Sequence, residues 1–308
     1  MKMKKKRKIS GAGVKDCWQD RCFNGVNNLL LLLVLICTAY PFIYIISCSF
    51  SSGDALLSGQ IKLLPKEFSL IGYRTVFQYT PIWTGYLNSL LYMFSGTFIS
   101  LVLVILMAYP LSRNDFVPRK WISGLLAFVM VFIPGTVPSY MLVKDLGLLN
   151  TRWAIILPGA LSAYNVIVAR TFFKNSIPNE LLEASRLDGC DDFKFLWKIV
   201  LPLSKPIIAV LSLWVAVGLW NSYFNPMIYL NDPSKYPLQL VLRQILLMTS
   251  NLDMSNTSID PILLQQREYL GQILKYGSIV VSAIPLMLFY PFVQKYFEKG
   301  VMIGSVKG

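Results

Sequence analysis

Residues 174–206 read KNSIPNELLEASRLDGCDDFKFLWKIVLPLSKP, a polar interval between two apolar runs that carries the marks of two ordered helices. Pro178 suits the first position of a helix, where its missing N–H costs nothing. Leu181, Ala184, Ser185 and Asp188 then fall on one face at helical spacing. Gly189 is a natural terminator because it tolerates the left-handed conformation of a helix end. Asp191 or Asp192 is placed to cap a second helix. There Phe193, Leu196, Trp197 and Val200 recur at i, i+3, i+4 and i+7, with Lys194 and Lys198 on another face. Pro202 and Pro206 are expected to end it. The stretch thus predicts a helix–Gly–helix unit with an apolar side, joining two membrane spans.

The composition agrees with a membrane setting. Of 308 residues, 55% are hydrophobic and 15% charged, and the mean hydropathy is +0.53. A soluble domain of this size needs more charge to cover its surface, so the class is an all-α integral membrane protein. The net charge of +13 would suit nucleic acid, but the basic residues cluster at the N-terminus and in short loops, which reads as orientation in a bilayer. The chain has no His, which excludes Ser-His-Asp and Cys-His catalysis and His-ligated metal sites. Its five cysteines, Cys17, Cys22, Cys37, Cys48 and Cys190, complete neither a zinc site nor a disulfide framework.

Six apolar runs of spanning length are expected as transmembrane helices: Leu29–Phe50, Asn88–Leu111, Trp121–Val143, Trp153–Phe173, Ile207–Leu230 and Ile273–Phe297. They divide the chain into a basic tail (1–28), a six-helix domain (29–297) that includes the polar unit at 174–206, and a short tail (298–308). Nineteen of the 29 Lys and Arg residues fall on the side shared by both tails, 112–120 and 174–206, counting Lys295 at the end of the last run with the C-terminal tail; eight fall in the loops of the other side, and Arg170 and Lys275 lie within span ends. The basic side is the cytoplasmic one, so both termini and the polar unit are expected in the cytoplasm.

No engine is visible. There is no G-x-x-x-x-G-K-[ST] phosphate loop, and no Asp or Glu lies in the central part of any span. A proton-driven carrier retains such carboxylates despite their insertion cost of about 2.5–3.5 kcal/mol, so that class is disfavoured. A sodium-coupled carrier can use backbone carbonyls and stays open.

The residues also carry a family likeness. Glu183-Ala184-Ser185, with Gly189 six residues after the Glu and Ile199, Leu201 and Pro202 closing the unit, resembles the cytoplasmic "EAA" loop of binding-protein-dependent ABC importer permeases; Ser185 stands where the motif has a second Ala. Gly147-Leu148-Leu149-Asn150-Thr151, with Trp153-Ala154 and Leu157-Pro158-Gly159, is similar to the third-to-fourth-span region of that family. Trp220-Asn221, Phe224-Asn225-Pro226 and Asp232-Pro233-Ser234-Lys235-Tyr236-Pro237-Leu238 resemble the fifth-span segment of its carbohydrate-importing, maltose-type members. The ending Lys299–Gly308 resembles a complex-oligosaccharide subgroup. The resemblance implies a transmembrane subunit in the bacterial plasma membrane, with no catalysis and no cofactor of its own. It implies a cytoplasmic ATPase dimer that binds ATP, a second permease subunit in a heterodimer, and an extracellular or periplasmic solute-binding protein delivering a sugar or oligosaccharide. Carried onto this chain, it makes Leu181, Leu182, Glu183, Ala184, Ser185, Leu187, Asp188 and Gly189 the ATPase-coupling residues. Glu183 would face a basic group on the ATPase, and the three leucines would supply apolar contact.

For the solute path, Trp214, Gly218, Asn221, Ser222, Asn225 and Tyr229 form a polar and aromatic stripe at helical spacing, a chemistry suited to sugar hydroxyls and ring faces. The same residues would equally bind helix to helix. Ser89, Gly96, Ser100 and Asn165 read as packing positions. A self-sufficient secondary carrier or channel, and an ABC import permease for amino acids, peptides or anions, remain as alternatives.

Overall fold

The computed structural model describes residues 17–250, 268–285 and 287–288. The tail before residue 17, residues 251–267 of the polar interval, the sixth run beyond 288 and the tail 298–308 lie outside the described residues. Every regular element among the described residues is a helix. In chain order these are α1 (Trp18–Ser49), α2 (Gly53–Leu57), α3 (Ile71–Gln78), α4 (Thr80–Ser112), α5 (Arg119–Val131), α6 (Thr136–Asp145), α7 (Trp153–Ile156), α8 (Ala163–Ser176), α9 (Asn179–Leu187) and α10 (Asp192–Phe195). A π turn (Leu196–Val200) leads into α11 (Leu201–Leu203), followed by α12 (Lys205–Trp220), α13 (Phe224–Tyr229), a 3-10 turn (Pro233–Lys235) and α14 (Leu238–Ser250). A further helix passes through 268–285.

Two of these helices are each long and apolar enough to cross a bilayer, α1 and α4. Two further pairs qualify only when taken together: α5 with α6, bent by 119°, and Asp192–Leu203 with α12, bent by 80°. The spans expected from sequence at 121–143, 153–173 and 207–230 are each broken; Pro134 and Pro138 in the first and Pro158 in the second are sequence marks of a break, and the third carries none at 221–223. The first breaks at residues 132–135, where Pro134 removes a backbone donor; the second at 157–162, around Pro158-Gly159; the third at 221–223. The first run also starts earlier than expected, because helix α1 begins at Trp18 and takes in residues 18–28 of the anticipated tail.

Helices α3, α5, α7, α8, α12 and α14 pack on α4. Its buried positions include Ile82, Gly85, Ser89, Tyr92, Gly96, Ser100, Val104, Ala108 and Leu111, a stripe at steps of three and four residues. Small side chains in this stripe let neighbours approach closely. A Cβ added at Gly85 would lie 3.1 Å from the Leu238 Cα, and one at Gly96 would lie 2.6 Å from a Leu219 methyl. Ser89, Ser100 and Asn165 are buried as well. Near the C-terminal end of α4, Val104, Ala108 and Leu111 join Val166, Ala169 and Phe173 of α8 and Phe195, Leu196 and Val200 of the polar unit. Near its N-terminal end, Ile82 and Met93 meet Trp220, Leu238, Val241 and Ile245.

The contact at Gly85 is with backbone, which cannot swing aside. Gly85→Leu should therefore overpack the α4–α14 seam and cost about 1–3 kcal/mol. Gly124→Leu, where an added Cβ has nothing within 4 Å, should leave stability nearly unchanged. Thermal unfolding of the two variants in detergent checks the pair.

Candidate functional site

The polar unit folds as a helix–Gly–helix elbow at the C-terminal end of α4. Pro178 is extended (φ −61°, ψ 148°) and occupies the cap position just before α9, one residue earlier than expected. Glu180 in the first turn and Arg186 in the last both complement the helix dipole. The C-terminus closes in a Schellman arrangement: the Cys190 N–H donates to the Ser185 carbonyl at 2.9 Å and the Gly189 N–H to the Arg186 carbonyl at 3.1 Å. Gly189 sits at φ +72°, the left-handed region that a side chain disfavours. An added Cβ there would meet nothing within 4 Å, so the glycine is needed for its backbone angle and not for close approach within this chain. Asp191 then caps the second leg, its carboxylate accepting from the Lys194 N–H at 2.8 Å.

Two sequence expectations are corrected here. Pro202 does not end the second leg; the helix runs from Asp192 to Leu203 and bends only at Ser204. The π turn at Leu196–Val200 lies immediately before it. Such a turn widens the helix, easing the clash a proline ring makes with the carbonyl four residues back. Second, the buried faces differ. Leu182 and Ser185 turn inward, Leu182 against the α4–α8 core, so neither is presented for contact outside the chain. Phe195 is buried with Leu196 and Val200, whereas Phe193 and Trp197 are exposed. Leu181, Glu183, Ala184, Asp188 and Gly189 are exposed too, and Leu187 is 90% exposed. The apolar face that the spacing gives to Phe193, Leu196, Trp197 and Val200 is thus split, with only Leu196 and Val200 turned into the core.

A four-charge cluster holds the elbow to the end of α4. Arg113, the cap residue of α4, forks onto Asp115 through Nε (3.1 Å) and Nη2 (2.7 Å). Its Nη1 donates to the Tyr109 hydroxyl (2.8 Å) and to Asp192 Oδ1 (3.2 Å). Arg186 reaches Asp115 at 2.9 Å and Asp192 at 3.7 Å. Hydrogen bonding from Arg113, joined by Arg186, holds the Asp115 carboxyl well below the usual carboxylate range. Beside this cluster lies a cavity of about 100 Å³ lined by Tyr109, Ser112, Arg113, Lys174, Asn179 and Leu182 among others.

At the other end of α4 the structure joins motifs far apart in sequence. Asn88 Nδ2 donates to the carbonyls of Ser234 (2.7 Å) and Tyr236 (3.1 Å), and the Tyr92 hydroxyl to that of Lys235 (2.8 Å). The Leu238 N–H donates to the Ser89 hydroxyl at 2.8 Å. Asn150, left-handed at φ 57°, accepts from the N–H groups of Asn231 and Asp232 at its side-chain oxygen, and its own carbonyl accepts from Lys235 Nζ at 2.8 Å. Bonds from Ser234, with Lys235 adding to them, lower the Asp232 carboxyl.

The polar stripe is only partly brought together. Trp214, Gly218, Asn221 and Asn225 are exposed and Ser222 is half-buried, but the helix breaks at 221–223, so they do not share one helical face. Asn221 donates back to the Val217 carbonyl at 3.0 Å. Tyr229 is corrected out of the stripe: it is buried, stacked on Tyr140 at 6.3 Å and packed with Tyr92. Tyr164 is a partner that sequence reading missed; its ring lies 5.7 Å from that of Trp214. It lies in the first turn of α8, just after the 157–162 break.

Residues 82–303 match the family described as "Binding-protein-dependent transport system inner membrane component". The chain belongs to this family. The polygalacturonan/rhamnogalacturonan transport system permease protein YtcP of Bacillus subtilis (strain 168) is 42% identical over 288 residues, 92% of this chain and 97% of YtcP. Protein LplC of the same organism is 40% identical over 289 residues, 94% of this chain and 96% of LplC. The crystal structure of a bacterial ABC transporter involved in the import of the acidic polysaccharide alginate superposes with a TM-score of 0.83 at 36% identity, covering 92% of this chain and 99% of that chain.

In this inner membrane component the Asp115 shift fixes a sign. Its folded pKa lies below its ordinary value of 3.8, so its contribution is fully present above that value and is lost as pH falls through the lower folded one. Hydrogen exchange of the 186–192 amides should therefore stay constant between pH 5 and 8, after correction for intrinsic rates. In Asp115→Asn the protection should be weaker throughout that window.

Proposed function

We propose that this chain is one of two transmembrane subunits of an ATP-driven importer for oligosaccharides, fed by a solute-binding protein outside the membrane. In this reading the chain crosses the membrane six times, through α1, α4, α5–α6, α7–α8, α12–α13, and the helix through 268–285 with the apolar residues after it, and both termini are cytoplasmic. The support is the concentration of Lys and Arg in the segments on that side. The elbow then faces a cytoplasmic ATPase, which supplies the hydrolysis for which this sequence has no phosphate loop. Alternating access follows: closure of the ATPase dimer on ATP opens the cavity outward, and hydrolysis returns it inward.

One observation carries the docking role. Helix α9 is fixed to the core by Leu182 and Ser185 and bare on its other side, where Leu181, Glu183, Ala184, Leu187 and Asp188 stand free. An exposed leucine on an anchored helix is the geometry of a docking side chain, and removing such an anchor commonly costs more than about 1 kcal/mol. In the intact complex, Leu187→Asp should weaken co-purification of the ATPase by about fivefold or more while the chain still inserts. Leu187→Cys, in a background with the five native cysteines replaced by Ser, should resist a membrane-impermeant thiol reagent in whole cells and react in inverted vesicles; labelling from outside would reverse the topology.

The solute proposed is an acidic oligosaccharide. Galacturonan and alginate, named for the relatives, are both polymers of uronic acids. On α14, the Arg243 guanidinium lies over the Tyr223 ring at 5.4 Å, contacts the Met227 sulfur, and has no carboxylate partner among the described residues. A cation beside an aromatic face suits a uronate, whose carboxylate and ring face match the two. Arg243→Gln should lower uptake of an oligogalacturonate about tenfold and leave a neutral oligosaccharide of the same length unaffected. Equal loss of both would assign Arg243 to structure alone.

A further inference from the structure

The elbow is bound to α4 by more than apolar packing, and the way it is bound suggests how movement passes through the chain. Arg186 lies three residues before Gly189 and Asp192 three residues after it. Both legs of the elbow are therefore gripped by one cluster, whose centre is Arg113 at the end of α4. The Arg113 side chain is only 10% exposed, whereas those of Asp115, Arg186 and Asp192 are 50%, 49% and 64% exposed. All three nitrogens of its guanidinium are engaged, through four hydrogen bonds to Tyr109, Asp115 and Asp192. Planar, forked bonding of this kind fixes orientation as well as distance. The turn carrying Asp115 is itself braced, since Arg119 Nη1 donates to the Asn114 side chain at 2.6 Å and to the Arg113 carbonyl at 3.1 Å. Two arginines and two aspartates alternate, so the cluster is neutral and complete within the chain.

Helix α4 continues from this cluster without a break to Asn88, Ser89 and Tyr92, which hold the 231–238 segment by four hydrogen bonds. From Ser112 to Asn88 the helix rises about 36 Å. A displacement of the elbow that is passed to Arg113 is thus delivered along one continuous rod to the segment joining α13 and α14. The apolar contacts of Leu182 and Phe195 hold the elbow against the core, but they are non-directional; the charged cluster fixes its angle.

We infer that Arg113 is a positioning residue for transport: it converts movement of the elbow into movement of α4, and so links ATP turnover to the far end of the permease. The inference rests on the reading that the elbow docks on an ATPase. It needs no contact between Arg113 and the solute or the ATPase.

The test uses the intact complex of permeases, ATPase and binding protein, reconstituted in liposomes, with solute uptake and ATP hydrolysis measured on the same vesicles. Arg113→Gln should keep ATPase co-purification at the wild-type level while lowering solute moved per ATP about tenfold. Arg113→Lys keeps the charge but loses the fork, and should recover part of that ratio. Asp192→Asn leaves the Arg113–Asp115–Tyr109 bonds in place and should give a smaller loss of the same kind, which keeps the inference testable if Arg113→Gln fails to insert. An unchanged ratio of uptake to hydrolysis in both Arg113→Gln and Asp192→Asn would overturn it. Equal falls in uptake and hydrolysis, with the ratio kept, would overturn it as well. Failure of the docking reading looks different: the wild-type elbow would then show no dependence of ATPase co-purification on Leu187.

Discussion

Hydrocarbon offers no hydrogen bonds, so a membrane helix that breaks must have its freed polar groups satisfied by the protein itself. That constraint organises this chain. Three of its apolar runs are interrupted, at 132–135, 157–162 and 221–223, and local turns satisfy part of the freed backbone: the Phe132 N–H donates to the Phe128 carbonyl at 2.9 Å, the Ala160 N–H to that of Leu157 at 3.1 Å and the Ser222 N–H to that of Leu219 at 3.2 Å. Asn150, in the turn between α6 and α7, ties that turn to the end of α13 and the segment after it: its N–H donates to the Tyr229 carbonyl at 2.8 Å, and its side chain accepts from the start of the 231–238 segment. The uninterrupted α4 is the surface on which the broken runs pack. It carries small residues where other helices approach, and side-chain amide, hydroxyl and phenol groups where backbone must be met.

This division also explains where the two polar regions lie. Both occur at the ends of the one long buried helix, and they use different chemistry. At the N-terminal end, neutral donors on α4 meet backbone carbonyls, which fixes a segment with little regular structure of its own. At the C-terminal end, charged side chains meet charged side chains, which suits a partly exposed setting where desolvation is modest. The first arrangement specifies shape and the second specifies angle.

What could be read from the sequence follows the range of the interactions involved. The elbow was legible almost residue by residue, because caps are local: Pro178, Gly189 and Asp191 act through bonds spanning no more than five residues. The membrane class and the helical fold were legible from composition and run length. The inward turn of Leu182 and Ser185 was not, since both faces of α9 carry leucines and only the position of α8 decides between them. Pro202 misled because a π turn has no strong composition signal. Tyr229 misled because a helical stripe presumes a continuous helix, and the break after Trp220 contains neither Gly nor Pro. The motifs at 147–151 and 232–238 were each recognisable, but their meeting through Asn150 was visible only in three dimensions.

Helix α1 is attached to the rest of the chain chiefly through its last turn, where Ser47, Cys48 and Ser49 are buried and where Tyr44 meets Tyr276 edge-on at 6.3 Å. The remainder is bare; its apolar part, Leu29–Ser49, rises about 32 Å, close to a hydrocarbon thickness of about 30 Å, and residues 18–28 continue the helix beyond it. A rod pinned at one end and otherwise unpacked takes its slope from the layer it crosses. Thin and thick bilayers would therefore set the first helix at different inclinations without disturbing any packing within the permease body.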